Sequence, residues 1–306
     1  MPGTPRGTSR TAEELATQPA NWRTAAALAE AAAPALPRRG ERVAVVGCGT
    51  SWFMAQAYAA LRESGGHGET DAFAASEFPA HRQYDRVLAI TRSGTTTEVL
   101  DLLPQLKAPT TAITATLDTP VHRAAGQIVE LAFADERSVV QTRFATTALA
   151  LLRAHLETEG ALAPGVRPVR QAAEDAAAAL AEELPAHWAA AEQVSFLGRG
   201  WSNGLALEAG LKMREAAGAW TEAYPAMEYR HGPVAIAAPG RLVWAFGGLP
   251  EGLAEQVAAT GAELVADGLD PLADLVRVHR LAVATAEARG LNPDEPRALT
   301  RSVVLH

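Results

Sequence analysis

Three charged residues at helical spacing, a histidine-bearing loop and a hydroxyl-rich turn are the groups in this chain that can do chemistry. Glu208, Lys212 and Glu215 stand at i, i+4 and i+7 within Leu207 to Ala216, so a helix would carry two carboxylates and an ammonium on one stripe. Taken alone, such a stripe is most often a solvated face. The loop that follows, Glu222-Ala-Tyr-Pro-Ala-Met-Glu228-Tyr-Arg-His231-Gly-Pro233, has no explanation in helix packing, and ordered loops of that composition usually carry function. A carboxylate held beside a lysine on an apolar wall can serve as a general base, and a fixed cation can offset a developing oxyanion. Further back, Thr91-Arg92-Ser93-Gly94-Thr95-Thr96-Thr97 places five hydroxyls and one glycine in seven residues. Such a turn can grip a phosphate through O–H, backbone N–H and helix dipole together. An over-endowed helix cap is the plain alternative. The corresponding place later in the chain, Phe246-Gly-Gly-Leu-Pro, lacks those hydroxyls, which favours phosphate.

The elements that must position these groups recur. Val43 to Val46 is an apolar run of strand length, followed by Gly47-Cys-Gly49-Thr50-Ser51 and an Ala-rich helix to about Glu63. Val194 to Leu197, a Gly198-Arg-Gly200 turn and a helix over about Asn203 to Ala217 repeat that order, with Ser202 expected to cap the helix and Gly218 to end it. Gly47, Gly49, Ser51 and Ala55 fall on Gly198, Gly200, Ser202 and Ala206 at one constant offset, so the chain reads as a duplication of a strand-turn-helix unit. The first glycine turn also suits a dinucleotide, but residue 52 is Trp and no third glycine follows. Val87 to Ile90, Thr110 to Thr114 and Ile128 to Phe133 read as further strands of the first copy, and Leu242 to Phe246 and Glu263 to Val265 as strands of the second. Long helices are expected to about His155, over 166–184 and over Leu272 to Arg289. At the front, residues 1–10 read as disordered, Thr11 and Glu14 fit a capping box, and Trp22 with Ala25 to Ala32 read as an amphipathic stretch carrying no chemistry.

The runs LGRG, ALEAGLKMREA and EAYPAMEYRHGP resemble the second half of a double SIS (sugar isomerase) protein, as in the isomerase part of glucosamine-6-phosphate synthase, and the likeness extends from about Glu41 to Val304. The resemblance implies an α/β fold of two tandem flavodoxin-like SIS domains, each a parallel sheet flanked by helices. The divisions would be 1–40 as an N-terminal helical segment, 41–165 as the first domain, 166–192 as a linker helix and 193–306 as the second domain with an active-site tail. Thr91, Ser93, Gly94 and Thr96 occupy the family's phosphate pattern Ser-x-Ser-Gly-x-Thr, with Thr in place of the first Ser. Gly49, Thr50, Ser51, Arg92, Val139 and Gln141 would line the substrate, although Gln141 replaces the usual small hydroxyl residue. By the same resemblance Glu215 takes the C2 proton, Lys212 offsets charge on oxygen, and His231, often supplied by a neighbouring subunit, assists ring opening. Glu208 belongs with them. The synthase tail carries an imine-forming lysine where this chain has Arg301, and a guanidinium cannot form that imine.

The expected activity is therefore on a hexose or amino-hexose 6-phosphate, N-acetylglucosamine or glucosamine 6-phosphate among them, through abstraction of the C2 proton. Aldose-ketose isomerisation or deamination follows, with C2–C3 dehydration by the same enediolate the alternative and a non-catalytic phosphosugar sensor the rival class. The absence of a glutaminase segment and the Arg301 substitution speak against ketose amination. No cofactor and no metal is expected, and a homodimer with shared sites is. A net charge of -8, a pI near 5.5 and no dense Lys/Arg run argue against nucleic acid. With 48% hydrophobic residues, mean hydropathy -0.01 and one cysteine, Cys48, the chain reads as globular, without disulfides. No apolar leader or span of about 18 apolar residues is evident, so the expected location is the cytoplasm, away from membranes.

Overall fold

A computed structural model describes residues 8–305. The strands, in chain order, are β1 Val43–Gly47, β2 Thr70–Ala74, β3 Arg86–Ile90, β4 Thr110–Thr114, β5 Gln127–Glu130, β6 Gln193–Gly198, β7 Trp220–Pro225, β8 Leu242–Phe246 and β9 Glu263–Val265. The helices are α1 Arg10–Leu15, α2 Gln18–Ala32, α3 Thr50–Ser64, α4 Thr97–Leu102, α5 Val121–Ala124, α6 Arg143–Thr158, α7 Val169–Ala181, α8 Ser202–Ala217, α9 Leu253–Ala259 and α10 Pro271–Ala288.

All strand pairs are parallel. The first sheet runs β2-β1-β3-β4-β5 and the second β7-β6-β8-β9, so both reverse direction between their first strand in sequence and the strand after next. In open α/β sheets a ligand crevice forms outside the carboxyl ends of the strands at that reversal. The central strands β1, β3, β4, β6 and β8 are buried throughout, as strands covered on both faces must be, and their near-continuous apolar runs are what made them readable.

The edge strands β2, β5, β7 and β9 are only partly buried. Thr-Asp-Ala-Phe-Ala and Trp-Thr-Glu-Ala-Tyr-Pro have no unbroken apolar run, so β2 had no counterpart in the sequence reading and β7 was read as loop. The strand expected to reach Phe133 stops at Glu130, and Phe133 lies in a short 3-10 turn.

One apolar cluster joins the inner faces of both sheets. It contains Val43, Val45, Leu88, Ile90 and Ile113 from the first, and Val194, Phe196, Leu242 and Trp244 from the second, with side chains of α2, α3, α6, α8 and α10 between them. Smaller clusters cover each outer face. The helices α3 and α8 meet across the middle, which brings the first helix of each sheet against the other. The N-terminal helix α2 packs on α6 and α7 with Trp22, Ala25 and Ala29 fully buried; it is part of the body.

Two local expectations are corrected. Ser9, not Thr11, caps α1, accepting from Ala12 N. Thr11 is tied to Asp294 and Pro293, and the Glu14 carboxylate accepts from the backbone of Arg137 and Ser138, so long-range partners won over the capping box. Ser202 is the first helical residue of α8, and its hydroxyl accepts from Arg199 N at 2.9 Å and donates to Phe246 O at 2.8 Å. It therefore links the β6 turn to the β8 end. Gly218 does close α8 in the left-handed conformation, φ 56°. Of the expected disordered lead, residues 1–7 lie outside the described residues. Among the described residues no helix is long and apolar enough to cross a membrane.

Candidate active site

A cavity of about 190 Å³ opens at the carboxyl ends of β1 and β3, the reversal point of the first sheet. Its floor is Gly49, Thr50 and Ser51 on the β1–α3 turn and Thr91, Arg92, Ser93 and Thr96 on the β3–α4 turn. Val139 and Gln141 close one side, Glu215 of α8 another, and Leu299 to Val303 of the tail lie over the top.

Every one of these turn residues was a sequence candidate except the tail residues other than Arg301. Gly94 does not line the cavity. Its φ of +64° and the 2.1 Å that would separate an added Cβ from Thr119 Oγ1 show that it lets the turn pack on residues 119–121. The hydroxyls of the turn are arranged in a network. Ser93 Oγ accepts from Thr95 N at 3.2 Å and from Thr95 Oγ1 at 2.9 Å, and Thr95 Oγ1 lies 2.8 Å from Ser302 Oγ. Thr91 Oγ1 is buried without a hydrogen-bond partner among the described residues. A buried hydroxyl left unpaired on a cavity wall is a group available to a ligand.

Arg92 lines the cavity and also ties distant segments to it. Its guanidinium donates to Ser138 O at 3.2 Å, Val139 O at 3.1 Å and Arg301 O at 2.9 Å, and lies 3.6 Å from Glu136. It fastens the 136–139 segment and the tail to the β3 end. Glu136, fully buried, accepts from Thr142 N, Arg143 N and Phe144 N and so caps α6. Neither Glu136 nor Ser302 was singled out from sequence, since a carboxylate before a helix and a serine in a tail are common.

Glu208, Lys212 and Glu215 are not a solvated face. Glu208 and Lys212 are buried, and Lys212 Nζ stands 2.7 Å from Glu215 Oε2, 3.3 Å from Glu208 Oε1 and 3.1 Å from Thr50 Oγ1. Burial opposes the ammonium charge, but the two carboxylates outweigh it and hold the Lys212 pKa above its usual value. Lys212 is therefore a permanent cation one hydrogen bond behind the cavity wall, while Glu215 reaches the cavity. Gln141 Oε1 accepts from Ser51 Oγ at 3.4 Å. Burial, with Glu98 nearby, pushes the Cys48 thiol up to about 11, so it presents S–H.

Two candidates stand elsewhere. His231 and Glu228 are exposed on a short turn, Glu228–His231, and do not line the cavity of their own chain. Arg301 lines the cavity, yet its guanidinium is paired with Asp135 and lies 3.3 Å from Thr116 Oγ1.

The chain aligns with glutamine–fructose-6-phosphate aminotransferase [isomerizing] of Methanothermobacter thermautotrophicus at 30% identity, over 87% of this chain and 52% of that protein. The solved C-terminal domain of glucosamine-fructose-6-phosphate aminotransferase from Francisella tularensis superposes with a TM-score of 0.75, at 20% identity, covering 96% of this chain and 100% of that one. The chain is homologous to the isomerase part of these aminotransferases. It spans about half the length of the curated relatives it matches. The glucosamine-6-phosphate deaminase structure from Thermotoga maritima shares the fold, with a TM-score of 0.80, 23% identity and coverage of 97% of this chain and 100% of that one. No protein-family profile matches the chain. The chain thus shares the α/β fold of these solved structures, and the cavity lies in the half that the hydroxyl-rich turn marks.

Proposed function

We propose that the chain is an enzyme acting on a hexose or amino-hexose 6-phosphate by taking the proton from C2. The observation that carries this reading is one cavity walled by the 91–96 hydroxyl turn on one side and by Glu215, hydrogen-bonded to a buried lysine, on the other. The phosphate would sit on Thr91, Ser93 and Thr96 with the amides of the turn. The sugar would extend toward Thr50, Ser51 and Gln141, which brings C2 toward Glu215. As the proton leaves, charge gathers on the C1 or C2 oxygen, and the positive potential of Lys212 stabilises it through a water-poor wall. A sensor has no use for a lysine locked between two carboxylates, which is why catalysis is preferred to binding alone.

Returning the proton to C1 isomerises the sugar, and a 2-amino substrate can then lose ammonia. Both outcomes suit an aminotransferase named as isomerizing and a glucosamine-6-phosphate deaminase, the names borne by the relatives above. Dehydration across C2–C3 is the second reading; it needs an acid near the C3 oxygen, for which Glu228 and His231 of a neighbouring chain are the candidates, since Glu208 is buried behind Lys212 and does not line the cavity. The chain would work without a cofactor, in the cytoplasm, as a pair of tandem SIS domains. It would form at least a homodimer, in which His231, exposed on its turn and outside the cavity of its own chain, would serve a neighbour's site. Incubating the protein with hexose and hexosamine 6-phosphates in D2O under NMR tests the reading: deuterium should enter at C2, and a chain that binds these sugars without exchanging any proton would be the sensor instead.

A further inference from the structure

Behind the Lys212–Glu215 pair, the carboxylate of Glu208 lies 3.3 Å from Lys212 Nζ on one side and 3.9 Å from His279 Nε2 of α10 on the other. Both Glu208 oxygens and His279 Nε2 are buried and have no hydrogen-bond partner of good geometry among the described residues. A carboxylate so placed is costly unless its neighbours are fixed in the right state. What fixes the histidine lies on the far side of its ring. Gln18 Nε2 donates to Leu15 O at 3.1 Å, and a carbonyl can only accept, so the amide must turn its NH2 group that way. The same NH2 lies 3.3 Å from His279 Nδ1. Gln18 Oε1 accepts from Thr146 Oγ1 at 2.8 Å, and that hydroxyl oxygen accepts from Trp22 Nε1 at 3.1 Å. The Leu15 carbonyl thus fixes the amide's orientation, and the Thr146 hydroxyl, which also reaches Thr142 O at 3.2 Å and Arg143 O at 3.3 Å, is compatible with it. A ring whose Nδ1 accepts carries its proton on Nε2, the nitrogen facing Glu208.

We propose that Gln18 and His279 are positioning residues: Gln18 sets His279 as the Nε2–H tautomer, and that N–H draws Glu208 to where it holds the Lys212 ammonium against Glu215 and Thr50. The proposal rests on Lys212 and Glu215 being the reacting pair. Burial keeps the ring neutral by lowering its basicity, so His279 adds no second cation beside Lys212. The N-terminal helix α2, which has no side chain in the cavity, thereby acts on the site from behind.

Imidazole nitrogen shifts of the ¹⁵N-labelled full chain, with the His279 signal assigned by its loss in His279→Gln, test the tautomer without any activity. Nε2–H is expected, and a loss of that preference in Gln18→Leu; an Nδ1–H ring in the unaltered protein overturns the proposal. Turnover then tests the consequence, read as C2 proton exchange on glucosamine 6-phosphate and C1 proton exchange on fructose 6-phosphate. His279→Leu should lower kcat roughly tenfold or more while leaving KM nearly unchanged, and His279→Gln, which keeps an N–H of similar reach, should recover most of the rate. Folded His279→Leu with the parent kcat, or equal losses in both variants, overturns it. Absence of exchange in the unaltered protein would instead sink the reading of the function, with the tautomer result standing on its own.

Discussion

Lys212 of α8 donates to Thr50 Oγ1 of α3 at 3.1 Å, across the meeting of the two sheets' first helices. Thr50 opens the helix that follows β1, at the floor of the cavity, whereas Lys212 belongs to the helix that follows β6. The cation behind the cavity is thus supplied by one sheet and the hydroxyl turn by the other, so the site exists only when the two are packed together. The shared apolar core between the sheets holds that juxtaposition.

The hydroxyl turn should be worth binding rather than chemistry. Hydrogen bonds to a charged group contribute about 1.5–3 kcal/mol each, so Ser93→Ala with Thr96→Ala should raise KM for a 6-phosphate at least about tenfold. Steady-state kinetics on phosphorylated and unphosphorylated sugar should differ in their response. Equal losses on the two would take the phosphate away from this turn.

Glu215→Gln keeps the shape of the side chain and removes its basicity. The amide can still meet Lys212, so folding should survive while turnover and C2 exchange in D2O both fall by roughly 10² or more. Exchange at the parent rate would move the base elsewhere, and Glu228 would be tried next.

How much of this was legible follows from burial. Central strands such as Val43–Gly47 and Leu242–Phe246 announce themselves because both faces are covered and the run is unbroken; the edge strands β2 and β7, half wet and carrying Asp71 and Glu222, do not. The cavity floor was legible because chemistry there needs unusual local composition, five hydroxyls around one glycine. His279 and Gln18 were not, since a histidine inside an apolar helix and a glutamine near a helix start have no local signal; their role comes only from long-range packing. Arg92 was readable as present in the site but not as the strap that ties the tail, because its partners are backbone carbonyls far along the chain.

The packing of α3 on α8 gives a stability test at Gly204. A Cβ there would lie 2.5 Å from Phe53 O and 2.8 Å from Ala57 N. Alanine would gain about 1 kcal/mol in helix propensity, but the obstructing atoms are backbone and cannot step aside, and overpacking costs typically 1–3 kcal/mol. Gly204→Ala should therefore lower the denaturation midpoint and, because Lys212 must reach Thr50 across this contact, also slow turnover. A midpoint equal to or above the parent's would show that the helices can separate freely.

Acid should destabilise the fold through His67. Burial, reinforced by the adjacent Arg62, lowers its pKa to about 4 from an ordinary value near 6.5, while Arg62 Nε donates to its Nδ1 at 3.2 Å. Below 6.5 the unfolded chain binds the proton more readily than the folded one, so stability present above that pH is lost as pH falls toward 4. His67→Gln, with no proton to take up, should show a flatter dependence of Tm on pH across that window. An unchanged slope would assign the effect to His155 or His279, whose pKa values burial also lowers.

The substrate should not be held covalently at any point of turnover. A guanidinium can steady an oxyanion but cannot form an imine with a ketose, and Arg301 is moreover engaged with Asp135 and Thr116. The lysine near the cavity, Lys212, is held as an ammonium by its two carboxylates and is no nucleophile. Borohydride added during turnover of fructose 6-phosphate should leave the mass of the tail peptide and of the α8 peptide unchanged. Arg301→Lys should behave differently: a lysine there has a lower pKa and a free pair when deprotonated, so a reducible adduct at residue 301 is expected, with altered partition between products. An adduct in the unaltered protein would overturn the non-covalent enediolate, and its position would name the residue that carries the sugar.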